Sequence, residues 1–168
     1  MSAPSLPEFP RIAVNRWQTK YLPFPFRVVE FGRARAIRPT MKTRILIVDD
    51  LKEILLTMGS YFTMHGFEVD CASEKEEAEA LIGVNNYALV ITDLHLTPVR
   101  SNEGLEIVRL LHHEWPETKV IILTAYDSEE VEKEADRYGI SAFLRKPVSL
   151  PAMLHTVQQS LGRSPQIC

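Results

Sequence analysis

The chain has 168 residues, 45% of them hydrophobic, and a formal net charge of −3 at pH 7, which suits one globular domain with an additional segment. Its two cysteines, Cys71 and Cys168, lie far apart, so a disulfide framework is not indicated and a reducing compartment is favoured. No apolar stretch approaches the roughly 18 residues of a membrane-spanning helix. We therefore expect a cytoplasmic protein without a membrane span.

The first 41 residues differ in composition from the rest. Seven Lys and Arg residues against two Glu residues give them a net charge of +5, whereas the remainder carries −8, and six of the 11 prolines lie there. Prolines at this density interrupt any long helix, and the apolar core of a secretory signal is absent. We expect residues 1–41 to be a disordered basic extension, followed by a folded domain over 42–163 and a short tail over 164–168.

Other interpretations of residues 1–41 stay open. A short strand or hairpin could form around Phe24–Phe31. The basic charge could contact nucleic acid or acidic lipid, although the segment carries no folded recognition motif. Because Met41 is followed almost directly by the first predicted strand, the residues before it could also be an upstream extension without a selected fold.

From residue 44 onward, the sequence alternates between strand and helix patterns five times. Short apolar runs bounded by polar residues predict strands at residues 44–48, 67–72, 88–92, 119–123 and 141–145. The second of these runs alternates apolar and acidic residues, so we place it at an edge of the sheet. Five βα units with right-handed crossovers predict a three-layer α/β sandwich.

Several helix starts can be predicted from capping residues. Ser73, with Glu76 three residues later, predicts a capping box at the start of helix two. Ser149, with Pro151 in the first turn, predicts the start of helix five. Helix three is expected to begin near Gly104.

Five polar residues stand where the predicted strands end. Asp49 and Asp50 follow the first strand, Asp93 the third, Thr124 the fourth and Lys146 the fifth. Because ligands of open α/β sheets bind outside the carboxyl ends of the strands, these side chains are expected to converge at one edge. Three carboxylates at close range cannot all stay ionised without compensating positive charge. A Mg²⁺ ion, which prefers carboxylate oxygens and retains several waters, would supply that charge together with the ammonium group of Lys146.

This combination has a definite chemistry. A carboxylate beside such a metal can attack phosphorus and form an aspartyl phosphate, while Lys146 and the Thr124 hydroxyl hold the phosphoryl oxygens. Taken singly, each residue also has a structural explanation, because the acids could cap helices and Lys146 could be a solvated surface charge. The ordered set, with each member at a strand end, favours the functional interpretation.

At these residues the sequence strongly resembles the receiver domain of bacterial two-component response regulators. The resemblance covers about residues 42–162. It rests on the acidic pair after strand one, an Asp after strand three, Thr-Ala after strand four and Lys-Pro after strand five. It implies a doubly wound, flavodoxin-like (βα)5 fold with the parallel strand order 2-1-3-4-5.

The resemblance also implies how the acidic residues would be used. Asp93 would accept the phosphoryl group. Asp50, Asp93 and the backbone carbonyl of His95 would bind Mg²⁺ directly, whereas Asp49 would act through a water molecule.

The remaining site residues would contact the phosphoryl group. Lys146 would pair with one of its oxygens, and the Thr124 hydroxyl would bond another. The backbone N–H groups of Leu94 and Ala125 would assist.

The family pattern is matched at further positions and departed from at one. The Lys-Pro peptide of the family is cis, which implies a cis bond before Pro147. The aromatic switch position falls on Phe143, which has no hydroxyl. A glycine that the family places soon after the acceptor Asp is delayed here to Gly104, so the loop after Asp93 is about three residues longer.

We interpret the chain as a phosphorylatable signalling switch. A histidine kinase or phosphotransfer protein would phosphorylate Asp93, and the signal would pass on through protein contacts. Beyond its own phosphotransfer and slow autodephosphorylation, the chain is not expected to be an enzyme. Since the sequence ends soon after helix five, no DNA-binding output domain is expected.

Two alternatives belong to other functional classes. One is an interaction module that keeps the same fold without being phosphorylated. The other is a phosphohydrolase with an aspartyl nucleophile, which is disfavoured because such enzymes typically carry a second Asp two residues after the nucleophile, where this chain has His95. The sequence does not identify the kinase, the downstream partner, the pathway or the oligomeric state.

Overall fold

The computed structural model describes residues 42–96, 102–125 and 129–162. The predicted N-terminal extension, the tail, the lengthened loop over 97–101 and the residues Tyr126 to Ser128 lie outside these ranges. Within them, five strands and five helices alternate in the predicted order: β1 (Arg44–Val48), α1 (Lys52–Met64), β2 (Glu68–Ala72), α2 (Lys75–Val84), β3 (Leu89–Asp93), α3 (Glu103–Glu114), β4 (Lys119–Thr124), α4 (Glu129–Arg137), β5 (Ala142–Arg145) and α5 (Leu150–Ser160).

The strands form one parallel sheet in the order β2-β1-β3-β4-β5, which confirms the predicted topology and places β2 at an edge. The pairing register brings the carboxyl ends of the strands level with each other. Val48 at the end of β1 pairs with Thr92 of β3, and Asp93 pairs with Leu123 of β4. The polar residues that follow these strands are therefore close neighbours in space.

Alternation along each strand divides the core between the two faces of the sheet. In β1, Leu46 and Val48 belong to a cluster that includes buried residues of α2, α3 and α4. Ile45 and Ile47 belong to a second cluster, which includes buried residues of α1 and α5. Burial of both faces explains why the central strands read as continuous apolar runs.

The start of α2 differs from the prediction. The helix begins at Lys75, so its N-cap residue is Glu74, whose side chain makes no capping hydrogen bond. The N–H and hydroxyl of Ser73 both donate to Oε2 of Glu77, at 2.8 and 3.2 Å. The predicted capping box between Ser73 and Glu76 is therefore wrong, because a helix that begins one residue later brings the next Glu into the position that reaches back.

The turn into α5 agrees with the prediction. Ser149 Oγ accepts a hydrogen bond from the N–H of Ala152 at 3.4 Å, as an N-cap residue does. The peptide bond between Lys146 and Pro147 is cis. Among the described residues, none of the helices is long and apolar enough to cross a membrane.

Candidate functional site

The carboxyl edge of the sheet brings the predicted site residues together. Asp49 directly follows β1 and is fully buried, Asp93 is the last residue of β3, and Thr124 is the last residue of β4 and also fully buried. Lys146 directly follows β5. Its backbone N–H donates to the carbonyl of Thr124 at 2.7 Å, which continues the β4–β5 pairing up to the site.

Lys146 joins the two inner acids of the site. Its Nζ atom lies 2.8 Å from Oδ2 of Asp49 and 2.7 Å from Oδ2 of Asp93. Burial on its own would lower the pKa of Lys146, but the hydrogen bonds that Lys146 donates to Asp49 and Asp93 and the charges of both acids outweigh it, so the pKa is raised. The lysine therefore stays protonated and neutralises part of the acidic charge.

The third acid, Asp50, completes a group suited to a divalent cation. Carboxylate oxygens of Asp49, Asp50 and Asp93 all lie within 4.8 Å of one another. Partial burial and the charges of Asp49 and Asp93 raise the pKa of Asp50, against the lowering effect of Lys146. One ammonium group thus leaves the three acids short of positive charge, and their hard oxygen atoms fit Mg²⁺ as a ligand set.

The backbone around Asp93 is arranged differently from the arrangement that the resemblance implied. The N–H of Leu94, which was assigned to a phosphoryl oxygen, donates to the carbonyl of Leu123 at 2.8 Å. The N–H of His95 instead points at Oδ1 of Asp93, with an N···O distance of 3.5 Å. His95, rather than Leu94, is the residue whose amide faces the carboxylate.

Gly104 lies in close contact with the backbone of Asp93 and Leu94 at the end of β3. A Cβ atom at this position would lie 2.1 Å from the carbonyl oxygen of Asp93 and 2.8 Å from Cα of Leu94. The N–H of Gly104 donates to the Leu94 carbonyl at 3.1 Å. Only a glycine lets α3 approach the end of β3 this closely, so the glycine identified in the sequence fixes the backbone of the Asp93 turn despite the longer loop.

Comparison with known proteins agrees with this geometry. The family model described as response regulator receiver domain matches residues 45–158. The chain belongs to this family. The match confirms the resemblance found in the sequence, and it identifies the chain as carrying a receiver domain, the phosphorylatable switch of two-component signalling.

The curated relatives are longer than this chain. The transcriptional regulatory protein SrrA of Staphylococcus aureus is 32% identical over 124 residues, which are 74% of this chain and 50% of SrrA. The chain thus spans about half the length of the curated relatives it matches.

Solved structures of receiver domains share the fold. A CheY-like receiver domain protein from Methanospirillum hungatei is 30% identical with a TM-score of 0.68, covering 72% of this chain and 94% of its own. A response regulator from Burkholderia pseudomallei, solved with a phosphorylated aspartic acid, a calcium ion and citrate, is 26% identical with a TM-score of 0.63, covering 72% of this chain and 69% of its own.

Two aromatic residues, Phe143 and Tyr126, differ in whether the structure describes them. Phe143, at the predicted aromatic switch position on β5, is half-buried and packs against the cluster that contains the buried residues of α3 and α4. Tyr126, two residues beyond Thr124, lies outside the described residues.

Proposed function

We propose that this chain is phosphorylated on Asp93 by a histidine kinase or a phosphotransfer protein in a Mg²⁺-dependent reaction. The observation that carries the proposal is the position of the Asp93 carboxylate. It is 8% exposed, ends a buried strand, and is held through Lys146 beside two further acids. A carboxylate in this setting is oriented for attack and keeps limited access to solvent.

The proposed transfer exchanges one bond to phosphorus for another. An oxygen of Asp93 forms the new P–O bond while the P–N bond to the donor histidine breaks, and the imidazole ring leaves with the electron pair and takes up a proton. Lys146 would move from the free carboxylate to a phosphoryl oxygen. The Thr124 hydroxyl would donate to another oxygen, so that Thr124 would hold the transferred group together with Lys146, which now neutralises part of the acidic charge.

The residues present fit a bound Mg²⁺ ion. Asp50 and Asp93 would hold it with the backbone carbonyl of His95, and Asp49 would contact it through water. The ion would supply positive charge against the phosphoryl oxygens. The calcium ion and phosphorylated aspartic acid of the Burkholderia structure support this assignment by similarity.

A protein donor would find an apolar surface next to the site. A cavity of about 470 Å³ lies between α1 and α5 and is lined by apolar side chains such as Ile54, Met58 and Met153, together with Lys146. Its position supports a donor that packs on the domain while presenting its phosphohistidine to Asp93.

Labelling with a small phosphodonor tests the acceptor. The protein is incubated with acetyl phosphate or phosphoramidate and Mg²⁺, and the acid-labile, hydroxylamine-sensitive adduct is mapped by mass spectrometry. We expect one phosphoryl group on Asp93, no adduct in Asp93→Asn, and no adduct when Mg²⁺ is removed with EDTA. An unchanged yield in Asp93→Asn would show that the acceptor is another residue. No labelling of the wild type by either donor would favour the phosphorylation-independent interaction module.

We further propose that the receiver domain folds and is phosphorylated without residues 1–40. The composition changes at Met41, and the described elements of the fold all begin after it. A chain truncated to begin at Met41 is expected to melt within a few degrees of the full chain and to label equally. Failure of the truncated chain to fold would place the N-terminal segment within the core of the domain.

A further inference from the structure

A fourth carboxylate, that of Glu103, lines a cavity beside the acidic site, and one of its oxygens has no partner among the described residues. Glu103 is the first residue of α3 and is only partly exposed. Its Oε2 atom is buried and has no hydrogen-bond partner within the part of the chain that the structure describes. A buried carboxylate oxygen is unfavourable until a hydrogen-bond donor or a cation compensates for its lost hydration. A cation or a hydrogen-bond donor bound beside Glu103 would relieve this cost.

Glu103 shares a cavity with a predicted metal ligand. A cavity of about 430 Å³ is lined by Glu103 and by Asp50, with Leu96 and Ser73 among its other walls. Asp50 approaches this space from the end of β1, and Glu103 approaches it from the start of α3. The cavity is large enough to hold several water molecules.

The charges around the cavity favour a cation. Besides Asp50 and Glu103, the lining contains Glu74 and Glu76 against Lys52 and Lys75. The ammonium of Lys75 lies 2.6 Å from Oε2 of Glu106, so it is already paired with an acid of α3 outside the cavity lining. The acids that line the cavity outnumber the lysines, and an anion would be repelled.

Geometry limits how Glu103 could contact a metal ion. It is not part of the group of three acids whose oxygens lie within 4.8 Å of one another, so it does not share one ion directly with them. Mg²⁺ retains several waters at about 2.1 Å, and each water can donate a hydrogen bond over about 2.7 Å. An ion bound at Asp50 therefore reaches a carboxylate about 5 Å away through one of its own waters.

We propose that Glu103 is an outer-sphere ligand of the divalent cation, accepting a hydrogen bond from a metal-bound water in the cavity that it shares with Asp50. The inference rests on the proposed Mg²⁺ site. It adds a fourth carboxylate from α3, whose charge and hydrogen bond strengthen cation binding without touching the ion. Groups that orient metal ligands or metal-bound water from this distance commonly change metal affinity by roughly tenfold or more.

The test measures Mg²⁺ affinity in the absence of any phosphodonor. The full chain is titrated with MgCl₂ and followed by backbone amide shifts in NMR spectra, which also show whether each variant is folded. The variants are Glu103→Gln, which keeps the shape and removes the charge, and Glu103→Asp, which withdraws the carboxylate by one methylene. Glu74→Gln is the matched control, because it removes one charge from the same cavity, and Asp50→Asn removes a predicted direct ligand.

The outcomes separate this inference from the proposed function. We expect Glu103→Gln to raise the dissociation constant for Mg²⁺ about tenfold, Glu74→Gln to change it less than about twofold, and Asp50→Asn to abolish binding. If Glu103→Gln binds Mg²⁺ as tightly as the wild type, or if Glu74→Gln raises the dissociation constant by as much as Glu103→Gln does, the outer-sphere role is wrong and the Mg²⁺ site stands. If Asp50→Asn binds Mg²⁺ normally, the proposed metal site itself is wrong. Should Glu103→Gln be unfolded, the same criteria apply to Glu103→Asp.

Discussion

The central strands and the α4–β5 flank (α4 with β5) are built from different kinds of contact. All five residues of β3 are buried, whereas none of the four residues of β5 is. Of the nine residues of α4, only Ala135 is buried. The strands that carry Asp49 and Asp93 are therefore fixed by tight packing on both faces, and the flank is attached by much less apolar surface.

Polar contacts at the surface replace the missing core contacts of the flank. Glu134 of α4 is paired with Arg109 of α3, and Glu132 with Arg145 of β5. The guanidinium of Arg109 also lies 5.9 Å from the ring centre of Tyr138. Exposed ion pairs of this kind contribute little stability. The acidic site is therefore rigid on one side and adjoins an element that can move at low cost on the other, as a switch requires.

Adding a methyl group at Gly104 should have the largest effect, because it would force the start of α3 away from the end of β3. In Gly104→Ala, the added methyl would meet the Asp93 carbonyl at 2.1 Å. We expect the free energy of unfolding to fall by about 3 kcal/mol, together with a lower yield of phosphorylated Asp93, as measured by denaturant unfolding and by labelling. Gly83→Ala is the control.

Gly83 lies in α2, and nothing stands within 4 Å of its added methyl. That substitution should raise the stability by about 0.5–1 kcal/mol, because alanine favours the helix. Equal effects of the two substitutions would mean that α3 does not need its close approach to β3.

A second prediction concerns the lifetime of the phosphoryl group at the border between the two regions. Hydrolysis needs a water in line behind phosphorus, and the residues expected to flank its path are His95 and Tyr126. Neither is a carboxylate or amide that would orient this water well, so we expect slow dephosphorylation. The double variant His95→Asn/Tyr126→Glu should lose phosphate about tenfold faster, equivalent to about 1.4 kcal/mol in the barrier. Equal decay of the two proteins in a radiolabel chase would contradict this.

The third prediction concerns the electrostatic repulsion between the three acids of the site when no metal ion is bound. The pKa of Asp50 is raised in the folded protein. Between the ordinary aspartate pKa of about 3.9 and this raised pKa, the folded state therefore binds more protons than the unfolded state. The free energy of unfolding therefore falls as the pH rises from the unfolded pKa to the folded pKa of Asp50. The loss is complete above the folded pKa. At pH 7 in EDTA, Asp50→Asn should be more stable by up to about 1 kcal/mol, since exposure screens the repulsion.

Adding Mg²⁺ should reverse this order, because the wild type gains binding energy that Asp50→Asn has lost. Glu117→Gln, which removes an exposed charge from the loop between α3 and β4, should change neither measurement. Thermal melts in EDTA and in MgCl₂ measure the stability without and with the metal ion. A lower melting temperature of Asp50→Asn in EDTA would show that the acids do not repel each other.

Much of the fold and the candidate site could be predicted because both depend on local patterns. Apolar runs gave the strands, and Asp49, Asp93, Thr124 and Lys146 follow from where those runs stop. Parallel pairing then places strand ends side by side whatever the loops do. The resemblance supplied the strand order, which the structure confirms.

What the sequence missed depends on tertiary contacts of loops and helix starts. The one-residue shift that pairs Ser73 with Glu77 leaves the same residue types in place, so capping signals alone could not detect it. The amide that faces Asp93 belongs to His95 because Leu94 continues the pairing with β4. The buried oxygen of Glu103 had no signal beyond an acid in the first turn of a helix, where acids are common.

The smallest predicted effect measures how weakly the flank is held. Arg109→Gln and Glu134→Gln, singly and together, form a double-mutant cycle across the α3–α4 ion pair. Because these side chains are about two-fifths exposed, we expect a coupling of about 0.5 kcal/mol in low salt, falling towards zero in 1 M NaCl. Lys133 and Glu129, one turn apart on α4, give a matched pair within one element, with about 0.3 kcal/mol expected. Denaturant unfolding of all the variants measures both couplings. A coupling between Arg109 and Glu134 above about 2 kcal/mol that persists in high salt would mean that α4 is fixed as firmly as the central strands, and the flank could not be the part that moves.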